Sequence, residues 1–511
     1  MLVLNVIGTI IYYAARASWV FIDISLNIEG FTFGLLYAMI AVAIIGAVLT
    51  ALRLYETKKN GEEIYTKKWF GAISVVYTVI SILFFIAGFV FCYLSASAES
   101  ASQYFPYLEK SLFNAAFFIL VPFLVIFFPL FKGKTRKAVT AIILVVFTLI
   151  GICKVFPIGT YEITSNPTVI DTGKNYSVIF STNAHGTGYV EYTYNGKDYK
   201  VYDNSAGRLN SDSLIHSISI PYEHLNNNTY KIGSVKVFEQ YSYGSRTGKE
   251  VVSSEYTFSP VSADDITFLV ISDWHTEIER VYDTLEYIGD YDAVLLMGDA
   301  SPGLDFEEEA VINTVEFAGE ITGGAKPVIY ARGNHETRGT YAGKLADALG
   351  LDEFYYTADM GNYSFVVLDS GEDKDDSHPE YGGMTDYNTY RAEMVEWLKT
   401  TETENDKVIA LSHSWQISSV EEDLSQTAWN ELDRLGTTLV ISGHNHHCRL
   451  LGETEAEQAM LAAHPDITGY FDGGNRGDTY IASKMTLSQE EIHIEAFNNT
   501  GEKVLEHNVA W

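Results

Sequence analysis

The chain has 511 residues and a formal net charge of −32, too long for one ordinary domain and too acidic to attract polyanions, so nucleic acid is not an expected partner. The charge is unevenly spread: residues 1–156 hold 12 Lys and Arg against 7 Asp and Glu, leaving 22 against 59 for residues 157–511. Two regions of different physical character follow from this, one apolar and slightly basic, the other strongly acidic.

In the first region four segments, Phe31 to Leu52, Trp69 to Leu94, Ser111 to Phe131 and Ala138 to Phe156, are each apolar over about 20 residues, the length that crosses a bilayer. A fifth, Leu2 to Ile22, is interrupted by Arg16. Arg53, Lys58, Lys59, Lys67 and Lys68 fill one connection and Lys132, Lys134, Arg136 and Lys137 another, whereas the intervening loop, Ser95 to Lys110, has only Lys110. The positive-inside rule then puts both basic loops in the cytoplasm and everything after about Pro157 on the extracytoplasmic side. Residues 1–156 are thus expected to form a helical membrane bundle of four or five spans in the plasma membrane. An anchoring role is the default, with transport or sensing as the rival.

Residues 157–262 change to alternating Tyr, Val, Ile and Thr punctuated by Gly, Asn, Asp and Ser. The runs at 178–181, 188–194, 198–202, 216–220 and 230–238 read as strands, and Tyr194-Asn195-Gly196-Lys197 as a hairpin turn. Short strands at this spacing predict a β-sandwich of the fibronectin type III kind.

From residue 263 onward, short apolar runs alternate with helical patterns, which predicts an α/β domain. Five of those runs, 266–271, 293–297, 328–331, 408–411 and 437–441, end at clusters of metal-ligand residue types. The clusters are Asp273-Trp274-His275, Gly298-Asp299, Gly333-Asn334-His335-Glu336, Ser412-His413 and Gly443-His444-Asn445-His446. Polar residues at the carboxyl ends of such strands share one rim of a sheet, where sites form. Beyond them, 479–483 and 491–497 read as closing antiparallel strands. Cys448, alone in the acidic region, reads as a small residue beside the last cluster rather than a ligand.

Taken in order, the five clusters resemble the calcineurin-like metallophosphoesterase family, whose pattern is D-x-H, GD, GNH[ED], H and GHxH. The resemblance covers residues 263–511 and implies a domain of two mixed β-sheets flanked by helices. It also implies a dinuclear site: Asp273, His275 and His446 on one metal, Asn334, His413 and His444 on the other, and Asp299 bridging. The ions would be divalent or trivalent, with Mn, Zn and Fe all compatible with such donors. His335 takes the family's general-acid position, and Arg338, just past the GNHE cluster, is a candidate for contacting the substrate phosphate. The implied activity is hydrolysis of small phosphate mono- or diesters by a hydroxide bridging the metals. The alternative is a membrane-tethered binding or sensory protein whose phosphoesterase domain is silent. Relatives with a GDxxD motif carry an Asp that orients the His; here Pro302 stands at that position, with Asp305 or Glu336 as possible substitutes. The preceding β-sandwich looks like the N-terminal domain of purple acid phosphatases, an architectural likeness only.

Overall fold

The computed structural model describes residues 160–511, apart from 242–243, 262–263 and 419–420, together with scattered residues between 41 and 138. The chain divides into two compact units, Met1–Thr160 and Tyr161–Trp511.

In the first unit the described residues before Thr160 are helical. Among the described residues no helix is long and apolar enough to cross a membrane. The expected four- or five-span membrane bundle is therefore corrected, and the sidedness drawn from the basic loops loses its support, since that rule orients spans. The segments Leu2 to Ile22 and Ser111 to Phe131, and all of Ala138 to Phe156 but its first residue, lie outside the described residues.

The second unit is built on two mixed sheets. The larger, of ten strands, runs Lys503–Ala510, Glu491–Asn498, Thr479–Leu487, Ile266–Ile271, Ala293–Leu296, Pro327–Tyr330, Thr168–Asp171, Tyr176–Ser181 and Ile215–Ile220, with Gly474–Arg476 pairing on Thr479–Leu487. Its centre is parallel from Ile266–Ile271 to Thr168–Asp171. The second sheet, of six strands, contains the parallel series Tyr363–Leu368, Lys407–Ser412, Thr437–Ser442 and Thr468–Phe471.

Strand periodicity sorts the apolar side chains between layers. Phe365, Val367, Ile409, Leu411, Leu439 and Ile441 face the larger sheet in one continuous core, which also holds Phe268, Leu295 and Ile329. Their alternates Val366, Leu368, Val408, Ala410 and Val440 pack against Met394, Val395 and Leu398 of the helix Tyr387–Thr400 and Trp429 and Leu432 of the helix Glu422–Arg434. The larger sheet is covered by the helix Ile278–Ile288, whose buried Val281, Thr284 and Ile288 recur at helical spacing.

The middle strands depart from the expected self-contained sandwich. A five-stranded sheet is present, containing Gly186–Tyr194, Lys197–Tyr202 and Thr229–Tyr241, and its hairpin turns at Asn195 and Gly196 with φ of 49° and 73°. The layer it packs on, however, belongs to the larger sheet. Val169, Val178, Phe180, Ile218 and Ile220 face the small sheet, while Ile170, Ile179 and Ile215 enter the core of the α/β domain. The parallel register Val169↔Pro327 and Ile170↔Val328 joins the two regions through the backbone. The fold class is thus corrected to one α/β assembly with a shared β layer, because strands apolar on both faces cannot end a sandwich.

This sharing carries a test. Residues 263–511 expressed alone would bare the Pro327–Tyr330 edge and lose three buried isoleucines, each worth about 1.5–3 kcal/mol. Calorimetry should find that fragment melting at least ~10 °C below residues 160–511, or aggregating. Equal melting temperatures would show that the shared layer contributes nothing.

Candidate metal centre

The carboxyl ends of both parallel series meet at one rim. Asp273 follows Ile266–Ile271, Asp299 follows Ala293–Leu296 and Asn334 follows Pro327–Tyr330, while His413 and His444 follow the facing strands Lys407–Ser412 and Thr437–Ser442. The loops are tied across the rim by backbone bonds: the Asp273 amide donates to Gly298 O (2.9 Å), the His275 amide to Asp299 O (3.0 Å), the Gly443 amide to His413 O (3.0 Å) and the Asn475 amide to Asp273 O (3.0 Å).

Five of the nine non-glycine residues with positive φ among those described are Asp273, His275, Asp299, His444 and His446. Such backbone costs about 1–3 kcal/mol at each position and persists where the surroundings over-determine it. Two glycines allow the crowding: a Cβ at Gly298 would sit 2.1 Å from Gly333 N, and one at Gly333 2.2 Å from Asp299 Oδ1. Between the candidate ligands Asp273 and His275, Trp274 is fully buried and donates from Nε1 to Asn313 O (3.0 Å) inside a π-helical stretch, Val311–Glu316. The D-W-H loop is thus anchored by its middle residue.

The site brings together all seven residues expected as ligands. Asp273, His275 and His446 converge with one ligand atom each within 4.8 Å of one another; so do Asp299, His413 and His444, and so do His275, Asp299 and His335. Asp299 belongs to two of these groups. Its Oδ1 accepts from the His335 amide (2.9 Å), which leaves Oδ2 facing His413 Nε2 at 3.2 Å, His275 Nε2 at 3.7 Å and His335 Nε2 at 3.9 Å. Asp273 Oδ1 faces His446 Nε2 at 3.5 Å and His413 Nε2 at 3.8 Å, and Asn334 Oδ1 lies 3.0 Å from His444 Nδ1.

Main-chain carbonyls fix the rings. His413 Nδ1 donates to Met297 O (2.5 Å) and His446 Nδ1 to Asn475 O, so each presents Nε2 to the carboxylates. His413 Nε2 is buried, has no hydrogen-bond partner and faces the carboxylates of Asp299 and Asp273. A cation fits such a place, and the donor set of carboxylate, imidazole and amide oxygen suits a divalent ion.

The electrostatics agree. Burial alone would raise both carboxyls, yet His413 and its neighbours hold Asp299 well below the usual range, while Asp273 stays raised by burial and by Asp299 beside it. Burial works against protonation of His413 as well, but Asp299 and Asp273 push it up to about 10. His275 and His444 are driven down to about 4, in each case chiefly by burial, which keeps them neutral and able to ligate.

His335 is oriented by neither candidate substitute. Its Nδ1 donates to Pro302 O (3.0 Å), so the backbone at that position does what a side-chain carboxylate does in the GDxxD pattern. Glu336, fully buried, accepts from the amides of Asp299 (2.9 Å), Ala300 (2.5 Å) and Gly333 (3.0 Å), stapling the two metal-binding loops together. Burial, then Asp299, push its carboxyl up to about 7. Arg338 is half-buried and paired with Glu372. His447 lies exposed beside Arg476, and Cys448, its thiol pushed up to about 12 by burial, contacts Tyr470 OH (3.4 Å).

Two buried acids on the same rim were not anticipated from the sequence. Asp369, after Tyr363–Leu368, pairs with Arg332 Nη2 at 2.6 Å; Asp472, after Thr468–Phe471, accepts from Ser272 Oγ (3.3 Å) behind Asp273. Both sit at carboxyl ends of parallel strands, so the rule that located the ligands would have found them. Glu372 lies in a loop without such a signal.

Asp299 and His275 each belong to two ligand groups, but only Asp299 offers a charged carboxylate, with Oδ2 facing His413, His275 and His335, so Asp299→Ala should strip more metal than a change at any other candidate ligand. Elemental analysis of the purified variant checks this, and two retained ions would contradict it.

Residues 266–448 match the model of the calcineurin-like phosphoesterase family. Among solved structures, PhoD superposes with TM-score 0.40 at 12% identity, over 67% of this chain and 92% of its own. A metallophosphoesterase from Sphaerobacter thermophilus gives 0.24 at 14% identity, over 48% and 89%. YfcE, a phosphoesterase from E. coli, gives 0.24 at 13% identity, over 47% and 98%. No curated protein matches the chain. The ordered motif set and the calcineurin-like phosphoesterase family match fall on the same segment, residues 266–448.

Proposed function

We propose that this protein hydrolyses phosphate mono- or diesters at a pair of divalent cations held by Asp273, His275 and His446 on one side and Asn334, His413 and His444 on the other, with Asp299 between. The observation that supports the reading is the full set of candidate ligands: the His and Asp positions converge in groups within 4.8 Å, and Asn334 Oδ1 lies 3.0 Å from His444 Nδ1. A silent domain would be marked by a lost ligand.

Bound there, the cations would supply a nucleophile at neutral pH and offset the charge that builds on the phosphoryl oxygens. The chain's own residues do the rest. Asn334 contributes a neutral oxygen, so the ligands bring only the two negative charges of Asp273 and Asp299 and leave the centre able to accept an anion. His335, with Nδ1–H held by Pro302 O, turns Nε2 toward Asp299 Oδ2 at 3.9 Å, where a proton on that nitrogen would be delivered to the leaving oxygen. Glu336 keeps the Asp299 and Asn334 loops from parting as charge develops, through hydrogen bonds to a carboxylate worth about 1.5–3 kcal/mol each.

The role of His335 can be separated from metal binding by varying the leaving group. His335→Ala should keep its metal content and lose ~10²- to 10⁴-fold on an alkyl phosphate ester, but distinctly less on a p-nitrophenyl ester, whose leaving group needs little protonation. Equal losses on both would point to positioning instead, and loss of metal would remove the proposed division of roles.

A further inference from the structure

The basic side chain laid against the site is Arg338, and it is already engaged. Its Nε and Nη2 both bond Glu372, the latter at 3.0 Å, so the forked edge that ordinarily grips a phosphate dianion is turned onto a carboxylate. Glu372 is 1% exposed and also accepts from Tyr381 OH (3.0 Å) and the Asp373 amide (3.3 Å), a fully satisfied buried anion that will not release its partner readily. What remains of the guanidinium, Nη1, lies 3.3 and 3.4 Å from the two ring nitrogens of His335, which itself faces Asp299. Arg338 thus reaches the reacting region as half of a neutral pair.

The loop that supplies Glu372 adds no compensating charge. Residues 372–376 read Glu-Asp-Lys-Asp-Asp, and the one ammonium, Lys374, pairs with Asp373 at 3.2 Å. Asp373 lies close enough to His444 to interact with it electrostatically. Against the four acids of this loop stand Lys374, Arg338 and the buried Arg391, whose Nη1 donates to Glu372 O (3.0 Å) and Ser370 O (3.1 Å), so this side of the rim is still net negative by one charge. A phosphate monoester is largely a dianion at neutral pH, its second pKa being about 6, whereas a diester carries one charge. Each added negative charge on the substrate meets this rim at close range.

Building on the phosphoesterase reading, we infer that the site selects monoanionic phosphodiesters over dianionic monoesters, and that Glu372 sets the selection by neutralising Arg338. Glu372 is a specificity-determining residue that acts through Arg338 and does not itself touch the reacting atoms.

The experiment uses the full chain loaded with Mn²⁺ and compares kcat/KM for p-nitrophenyl phosphate and bis(p-nitrophenyl) phosphate. The unaltered protein should favour the diester. Glu372→Gln should raise the monoester-to-diester ratio about tenfold, the order expected of one unit charge several ångströms away in a partly screened site. Arg338→Gln, which leaves Glu372 uncompensated, should lower the ratio, and the double variant should return it to within about threefold of the starting value. Calorimetric titration with inorganic phosphate gives a readout apart from turnover: affinity should tighten in Glu372→Gln and weaken in Arg338→Gln. A starting preference for the monoester, or shifts of the same sign in both single variants, would overturn the inference while leaving the phosphoesterase reading intact. Turnover of neither ester by the loaded protein would overturn that reading and the inference together.

Discussion

Two carboxylates, Asp273 and Asp299, sit with less than 2% exposure at the meeting point of two sheets, and a buried pair of like charges is intolerable without positive charge beside it. Much of the surrounding architecture answers that demand. Five imidazoles bring a ring nitrogen within 4.8 Å of one or the other acid, and carbonyls of Met297 and Asn475 hold two of those rings so that Nε2 faces inward. The left-handed backbone at five ligand positions and the glycine pair Gly298–Gly333 allow the loops to approach closely enough. Charge demand, rather than apolar packing, explains why the least relaxed backbone in the domain is concentrated here.

The α/β fold and the convergence of the candidate ligands were legible because both signals are local. A buried parallel strand reads as a short apolar run, and the residue after it falls on a known rim; Ile266–Ile271 followed by Asp273 is such a case. Pro302 shows what is not legible. A backbone carbonyl carries no side-chain identity, so the position that seemed to have lost an orienting group still orients His335. Glu372 was hidden for another reason, since its meaning comes from Arg338, 34 residues earlier, and from no local pattern.

The N-terminal and middle regions were misread in instructive ways. Apolar length predicted spans, but among the described residues no helix is long and apolar enough to cross a membrane. In the middle region the short strands and their spacing suggested a β-sandwich of its own. Tyr176–Ser181 is buried at every position instead, because it lies between two cores. Its Val178-Ile179-Phe180 run carried that information, a two-sided pattern typical of a strand enclosed in a larger assembly.

The shared layer also has a bearing on time. Thr168–Asp171 pairs with Pro327–Tyr330, roughly 160 residues later in the chain. At translation rates of about 5–20 residues per second, the earlier strand leaves the ribosome some 10–30 s before its parallel partner exists. During that interval Ile170 and Ile179 have no core to enter, and an apolar edge stands open to any other strand. Contacts so distant in sequence also slow the search for the native pairing. The middle region is therefore the segment of this chain most in need of protection while it is being made, although it contributes no ligand to the metal centre.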